Sequence, residues 1–337
     1  MIPSPILLIH GFNGAPSNWT DPNDRFPDYL AAQGYDPDLI RVFNYGWMEY
    51  AGKRYYNNLG DLREIAHRLD EGNSNDPELQ ACAVDRLSRD SAARGGPEKV
   101  TLIAHSSGGL IARYYLSRQT EDQFGTRYRG NVARAIFLGT PHRGVDVEDI
   151  LDPLPNRWVY GLMVRVHYLF PPEYHGPDQS LRNRLGHLRA SARKEWYTDD
   201  ISKESRRETP AFNQLHPGSE FMDEINRQGV MPGEVTYFNI FGNVSAGMRV
   251  QVGSRILLNK QKHFGDGLVT SKSAGTIPNA ESEPWPIAEE YCLELKVGWR
   301  TRPVVEVTRS GEHPTPIHRN LRSHPGSRKR ILRILAK

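Results

Sequence analysis

Cysteine is scarce in this 337-residue chain: Cys82 and Cys292 are its two, far apart and without the spacing of a metal site. A disulfide-stapled scaffold is therefore excluded, and two buried, unlinked thiols are expected unless the fold brings them together. Long apolar runs are also missing. None approaches the roughly 20 residues that cross a bilayer, so no transmembrane segment is expected. The net charge is only +3, scattered except for a basic cluster from Arg319 to Lys337, which gives little support to nucleic-acid binding. No metal or cofactor is implied by any His, Cys, Asp or Glu spacing. No basic and apolar leader precedes the first apolar run, so the expected compartment is the cytoplasm, or the exterior with a signal peptide removed. Nothing in the composition fixes an oligomeric state.

What is present is a loop-rich globular composition, with 38% hydrophobic residues, 30 Gly and 24 Pro. Short β-branched-rich runs at 6–9, 39–45, 100–104, 132–138, 235–241 and 304–307 alternate with longer amphipathic segments. That alternation predicts an α/β class, a mostly parallel central sheet flanked by helices. Helices are expected at 24–33, 58–69, 78–91, 110–117 and 328–336; in the second, Leu59, Leu62, Ile65, Ala66 and Leu69 share one face.

One strand leads into a special turn. Val100-Thr101-Leu102-Ile103-Ala104 is followed by His105-Ser106-Ser107-Gly108-Gly109 and a helical run. This is the small-x-Ser-x-Gly pattern of a nucleophile elbow, in which residues two positions either side of the serine must be small. Ala104 and Gly108 meet that demand around Ser106, whereas Ser107 as nucleophile would put the His105 imidazole where there is no room. A serine hydroxyl needs a base and donors for the oxyanion formed on attack. The N–H of Ser107, at the helix start, is the first expected donor. The second is the N–H of Phe12, in the glycine-bearing loop His10-Gly11-Phe12-Asn13-Gly14 after the first strand.

These two segments, together with Leu138-Gly139-Thr140-Pro141-His142-Arg143-Gly144, resemble the signature segments of α/β-hydrolase lipases and esterases: bacterial triacylglycerol lipases and the inositol-deacylase-like and lecithin acyltransferase-like esterases. The resemblance covers roughly two thirds of the chain. It implies an α/β-hydrolase fold with a cap or lid insertion, and a triad in the chain order Ser, acid, His. Asp266, in His263-Phe264-Gly265-Asp266-Gly267, resembles the Asp-Gly-x-Val segment of these lipases and is the expected acid. A turn aspartate bonding its own loop is the competing reading. Two histidines compete for the base. His318 stands shortly before a Pro-initiated basic helix, as in the relatives; His313 lies closer to the last strand but is restrained by Pro314. His10 and His105 are expected to orient and pack the turns they occupy, and His142 to be structural.

The core is expected over 1–145 and 235–337, with 146–234 as the cap or lid insertion, where the strand rhythm fails. Its most apolar stretch carries Trp158, Leu162 and Phe170, the expected acyl-chain contacts. A further stretch, Val244 to Leu258, is expected to form a hairpin near the mouth. The expected activity is a serine carboxylesterase or triacylglycerol-lipase type reaction on a small-molecule or lipid ester, with transient contact to a lipid interface. Two readings compete: an acyltransferase on the same fold, and a catalytically silent protein that binds a lipid or partner.

Overall fold

The computed structural model describes residues 3–12, 14–21, 25–50, 53–56, 59–71, 83–145, 174–175, 209–298, 304–312 and 316–337. In chain order its strands and helices are β1 (Ile6–Ile9), α1 (Ser17–Thr20), α2 (Phe26–Ala31), β2 (Ile40–Val42), β3 (Trp47–Tyr50), β4 (Lys53–Tyr56), α3 (Leu62–Glu71), α4 (Val84–Ala93), β5 (Val100–His105), α5 (Gly108–Ser117), β6 (Val132–Leu138), β7 (Tyr174–His175), α6 (Pro210–Gln214), α7 (Glu220–Asp223), β8 (Thr236–Val252), β9 (Arg255–Gly265), α8 (Ser271–Ala274), β10 (Glu283–Val297), β11 (Val304–Gly311) and α9 (Pro325–Leu335).

The central sheet runs in the order β2, β1, β5, β6, β8, β10, β11, β7, with β9 paired to β8 alone. From β2 through β10 every neighbouring pair is parallel. The β10–β11 and β8–β9 pairs are antiparallel. Every residue of β5 is buried, as a central parallel strand covered on both faces requires.

The strand period of two sends alternate residues to two cores. Leu7, Ile9, Leu102, Ala104 and Phe137 join the buried faces of α3, α4 and α5. Ile6, Leu8, Ile103, Ile136 and Leu138 join Trp19, Phe26 and Leu30 around α2, and Ile331 and Ile334 of α9. The result is a mostly parallel sheet with helices on both faces. Helix α3 buries Leu62, Ile65, Ala66 and Leu69, the face its sequence spacing predicts.

Residues 209–234 fall within the expected insertion, yet Ala211, Phe212, Leu215, Phe221, Met222 and Ile225 belong to the first core. Residues 146–173 and 176–208, with Trp158, Leu162 and Phe170, lie outside the described residues, as does Cys82. Cys292 is a free, half-buried thiol that burial pushes up from its ordinary range. Among the described residues no helix is long and apolar enough to cross a membrane. None of their His, Cys, Asp and Glu side chains cluster as a metal site would require.

Candidate active site

Strand β5 ends at His105, and the chain turns sharply at Ser106, whose φ of +57° is left-handed backbone for a residue with a side chain. Such strain persists only where surrounding contacts enforce it. Here the Ser106 N–H donates to the Leu138 carbonyl at 2.9 Å, tying the turn to the end of β6. The loop after β1 closes over it: a Cβ on Gly11 would lie 2.5 Å from Ser106 Cβ, so that position requires glycine. The three segments noted in the sequence therefore meet at one place.

Asp266 follows Gly265 at the end of β9 and is 1% exposed. Its two oxygens have different tasks. Oδ1 accepts the N–H groups of Leu268 at 3.0 Å and Val269 at 2.7 Å. Oδ2 accepts from His318 Nδ1 at 2.7 Å. The carboxylate thus ties its own loop with one oxygen and meets His318 with the other. His318 begins a short turn, His318–Asn320, and its own N–H donates to the Asp266 carbonyl at 3.0 Å. Nε2 of the same ring lies 2.8 Å from Ser106 Oγ. Ser106, His318 and Asp266 are thus brought into one hydrogen-bonded line. His313 lies outside the described residues.

Ser107 is the N-cap of α5 and is buried. Its N–H is among the helix-start donors that have no acceptor within the helix, and the helix dipole favours negative charge there. Phe12 is half-buried in the loop that closes over Ser106, its ring centroid 6.4 Å from that of Phe212. Asn13 lies outside the described residues.

Three further histidines, His10, His105 and His142, are buried in the segments that meet here. His105 Nε2–H donates to the His318 carbonyl at 2.9 Å; burial first, then the nearby His318 and Arg322, hold its pKa well below the ordinary range. Burial also drives His10 down to about 3, against the hydrogen bond its Nδ1–H gives the Gly11 carbonyl at 3.1 Å. His142 Nε2–H donates to Asn239 Oδ1 at 2.9 Å, and burial again keeps it neutral, with Arg113 adding to the effect. All three are uncharged at neutral pH, so His105, in contact with His318, adds no positive charge beside it.

Two other contributors leave no mark in the sequence. Tyr45 stacks on His10 at 3.8 Å between ring centroids, and its hydroxyl donates to the His10 carbonyl. Arg322 donates to the Asn18 carbonyl and lies over the Trp19 ring at 5.7 Å, bracing the chain just beyond His318. Neither carries a motif; each matters only through where the fold puts it.

Residues 6–226 match the model of the alpha/beta hydrolase family. The chain is 28% identical over 182 residues to a triacylglycerol lipase from Pseudarthrobacter phenanthrenivorans, covering 52% of this chain and 47% of that protein. A triacylglycerol lipase from Burkholderia plantarii gives the same identity, over 52% of this chain and 42% of its own. The chain therefore spans about half the length of the curated relatives it matches. Among solved structures, lipase 1 from Pelosinus fermentans aligns over 100% of this chain and 98% of its own, with 12% identity and a TM-score of 0.46. On the family match, which takes in more than half its length, the chain belongs to the alpha/beta hydrolase family.

Proposed function

We propose that this protein is a serine carboxylesterase of the lipase type, hydrolysing carboxylic esters with lipid-like acyl groups through a Ser106, His318 and Asp266 triad. The observation that carries the reading is the continuous line from Asp266 Oδ2 to His318 Nδ1 at 2.7 Å and from His318 Nε2 to Ser106 Oγ at 2.8 Å. The curated relatives named as triacylglycerol lipases support the substrate class.

In this mechanism His318 Nε2 takes the Ser106 proton as Oγ bonds to the ester carbonyl carbon. Asp266 stabilises the imidazolium and holds the tautomer with the proton on Nδ1. The Phe12 and Ser107 N–H groups bind the tetrahedral oxyanion. Collapse breaks the bond to the alcohol, which leaves with the proton from Nε2. Water, deprotonated by His318, then attacks the acyl-enzyme; its proton returns to Ser106 as the acid departs. The expected cap falls mostly outside the described residues, as do Trp158, Leu162 and Phe170; of its span, 209–234 pack into the first core.

The test is hydrolysis of p-nitrophenyl esters of graded chain length, with fluorophosphonate labelling. Ser106→Ala is expected to lower kcat on the order of 10⁴-fold or more and to abolish labelling. Retained turnover in that variant, or turnover lost in His313→Ala but kept in His318→Ala, would overturn the assignment.

A further inference from the structure

The sheet does not stop where its core stops. Strand β6 ends at Leu138, paired with Ile240 of β8. β8 continues to Val252, turns at Gly253 and returns as β9 to Gly265, next to Asp266. Phe241, Val244 and Ser245 of β8 are still buried, and the seven residues from Ala246 to Val252 run past them, about 23 Å of strand, at the end of the sheet where Ser106 sits. Strands β10 and β11 accompany them, but β9 pairs with β8 alone and leaves its outer edge unpaired among the described residues.

Two features of this hairpin have no use in the fold. Ile256 and Leu257, near its tip, are 56% and 65% exposed. The register explains how adjacent residues can both be presented: Leu258 opposes Val250 and Ile256 opposes Gln251, so Leu257 is the extra residue of a β-bulge. The second feature is charge. From 236 to 265 the sequence holds Arg249, Arg255, Lys260 and Lys262 and no Asp or Glu. Two acids of the neighbouring strands are paired, Glu294 with Arg249 at 3.6 Å and Lys296 at 3.3 Å, and Glu306 with Lys296 at 2.7 Å; a third, the exposed Glu290, accepts from Gln261 at 3.1 Å and stands level with Ser245, toward the base of the hairpin and away from Arg255 at its tip. Arg255 and Lys260 are exposed and form no ion pair among the described residues.

Lysine on a free edge strand guards against strand addition. That purpose is defeated by two bare aliphatic side chains on the same edge, so edge protection does not account for both features. An anionic lipid surface does: aliphatic groups enter the headgroup boundary while flanking cations meet the negative potential. We propose that the β8–β9 hairpin is a docking element for anionic bilayers, with Ile256 and Leu257 as its apolar contacts and Arg255 and Lys260 as its charge contacts. The inference is independent of turnover, because docking is measured with the serine removed.

The experiment is cosedimentation of the full chain carrying Ser106→Ala with vesicles of phosphatidylcholine alone or mixed with phosphatidylglycerol. Partition is expected to favour the anionic vesicles and to fall with added salt. Arg255→Glu with Lys260→Glu should weaken it roughly fivefold or more for each basic residue lost. Ile256→Ser with Leu257→Ser should weaken it at least tenfold. Val230→Ser, at a position 67% exposed elsewhere, should leave binding unchanged. In the chain with Ser106 intact, all these variants should hydrolyse a soluble short-chain ester as the parent does. Equal partition of parent and hairpin variants would overturn the proposal. So would an equal loss in Val230→Ser, or gel filtration showing that the hairpin instead joins two copies of the chain.

Discussion

The His105 ring donates from Nε2 to the backbone carbonyl of His318 at 2.9 Å, so the residue just before the strained serine holds the turn that carries the proposed base. His318 is fixed at three points, by its N–H, its carbonyl and its Nδ1.

Removing one of those points should loosen the base without touching the ester. His105→Ala is expected to lower kcat roughly 10- to 100-fold, since misplacing a reacting group by about an ångström has that effect, with KM for a soluble ester little changed. His105→Gln, which retains a donor, should recover part of the loss. Unchanged kcat in the alanine variant would refute the positioning role.

The neutral buried histidines tie stability to pH. The His10 pKa is lowered from 6.5 to about 3, and those of His105 and His142 are also lowered. Below pH 6.5 these groups gain protons more readily when the chain unfolds. Stability is therefore full above that value and declines as pH falls toward the folded pKa, by up to ~1.4 kcal/mol per pH unit for each histidine. Urea denaturation between pH 7 and 4 should show this decline, and His142→Gln should make it shallower.

Gly139 has a φ of +58°, and a Cβ there would lie 2.8 Å from Asp266 Oδ2 and 3.1 Å from His318 Nδ1. Gly139→Ala should cut activity by roughly two orders of magnitude by forcing this pair apart. Gly233→Ala, where a Cβ meets nothing within 4 Å, is the control and should be silent. Steady-state rates of both variants check the contrast.

Arg113 is fully buried in α5, and burial pushes its pKa down to about 9, leaving it charged at neutral pH. Its partners are the carbonyl oxygens of His142 and Ile225 and the amide oxygens of Asn226 and Asn279, at 2.9 to 3.2 Å. Arg113→Met removes the donor to the His142 carbonyl and to the two amide oxygens, the Ile225 carbonyl keeping Asn279 Nδ2 at 3.0 Å, and is expected to cost about 2–4 kcal/mol in chemical denaturation. A change below about 1 kcal/mol would show that the region closes over the gap.

That Ser106, Asp266 and His318 could be singled out as candidates follows from local pattern: a small-residue turn, a Gly-flanked aspartate and a histidine ahead of a helix, although sequence alone left His313 in competition with His318. The parallel strands were legible for the same reason, being short apolar runs. Strand β10 was not, since Pro284 and Pro286 argue against a strand inside a sheet. They are tolerated because β11 joins β10 only from Glu289 onward, which leaves one flank free beside the prolines. The full length of β8 and β9 was hidden by polar residues that face solvent rather than a core. Helix starts shifted for local reasons: the second helix begins at Phe26, with Pro27 in its first turn, rather than at Asp24. Tyr45 and Arg322 could not be found at all, because their roles depend on contacts between segments remote in the chain.

The separation of Ser106 from His318 also has a consequence for biosynthesis. With His318 as the base, a chain stalled or cleaved before residue 318 has its serine and its aspartate but nothing to accept the serine's proton. Leu321, three residues beyond His318, shares the second core with Ile331 and Ile334 of α9. On the proposed mechanism, a nascent chain would be chemically silent until His318, near its C-terminus, is made.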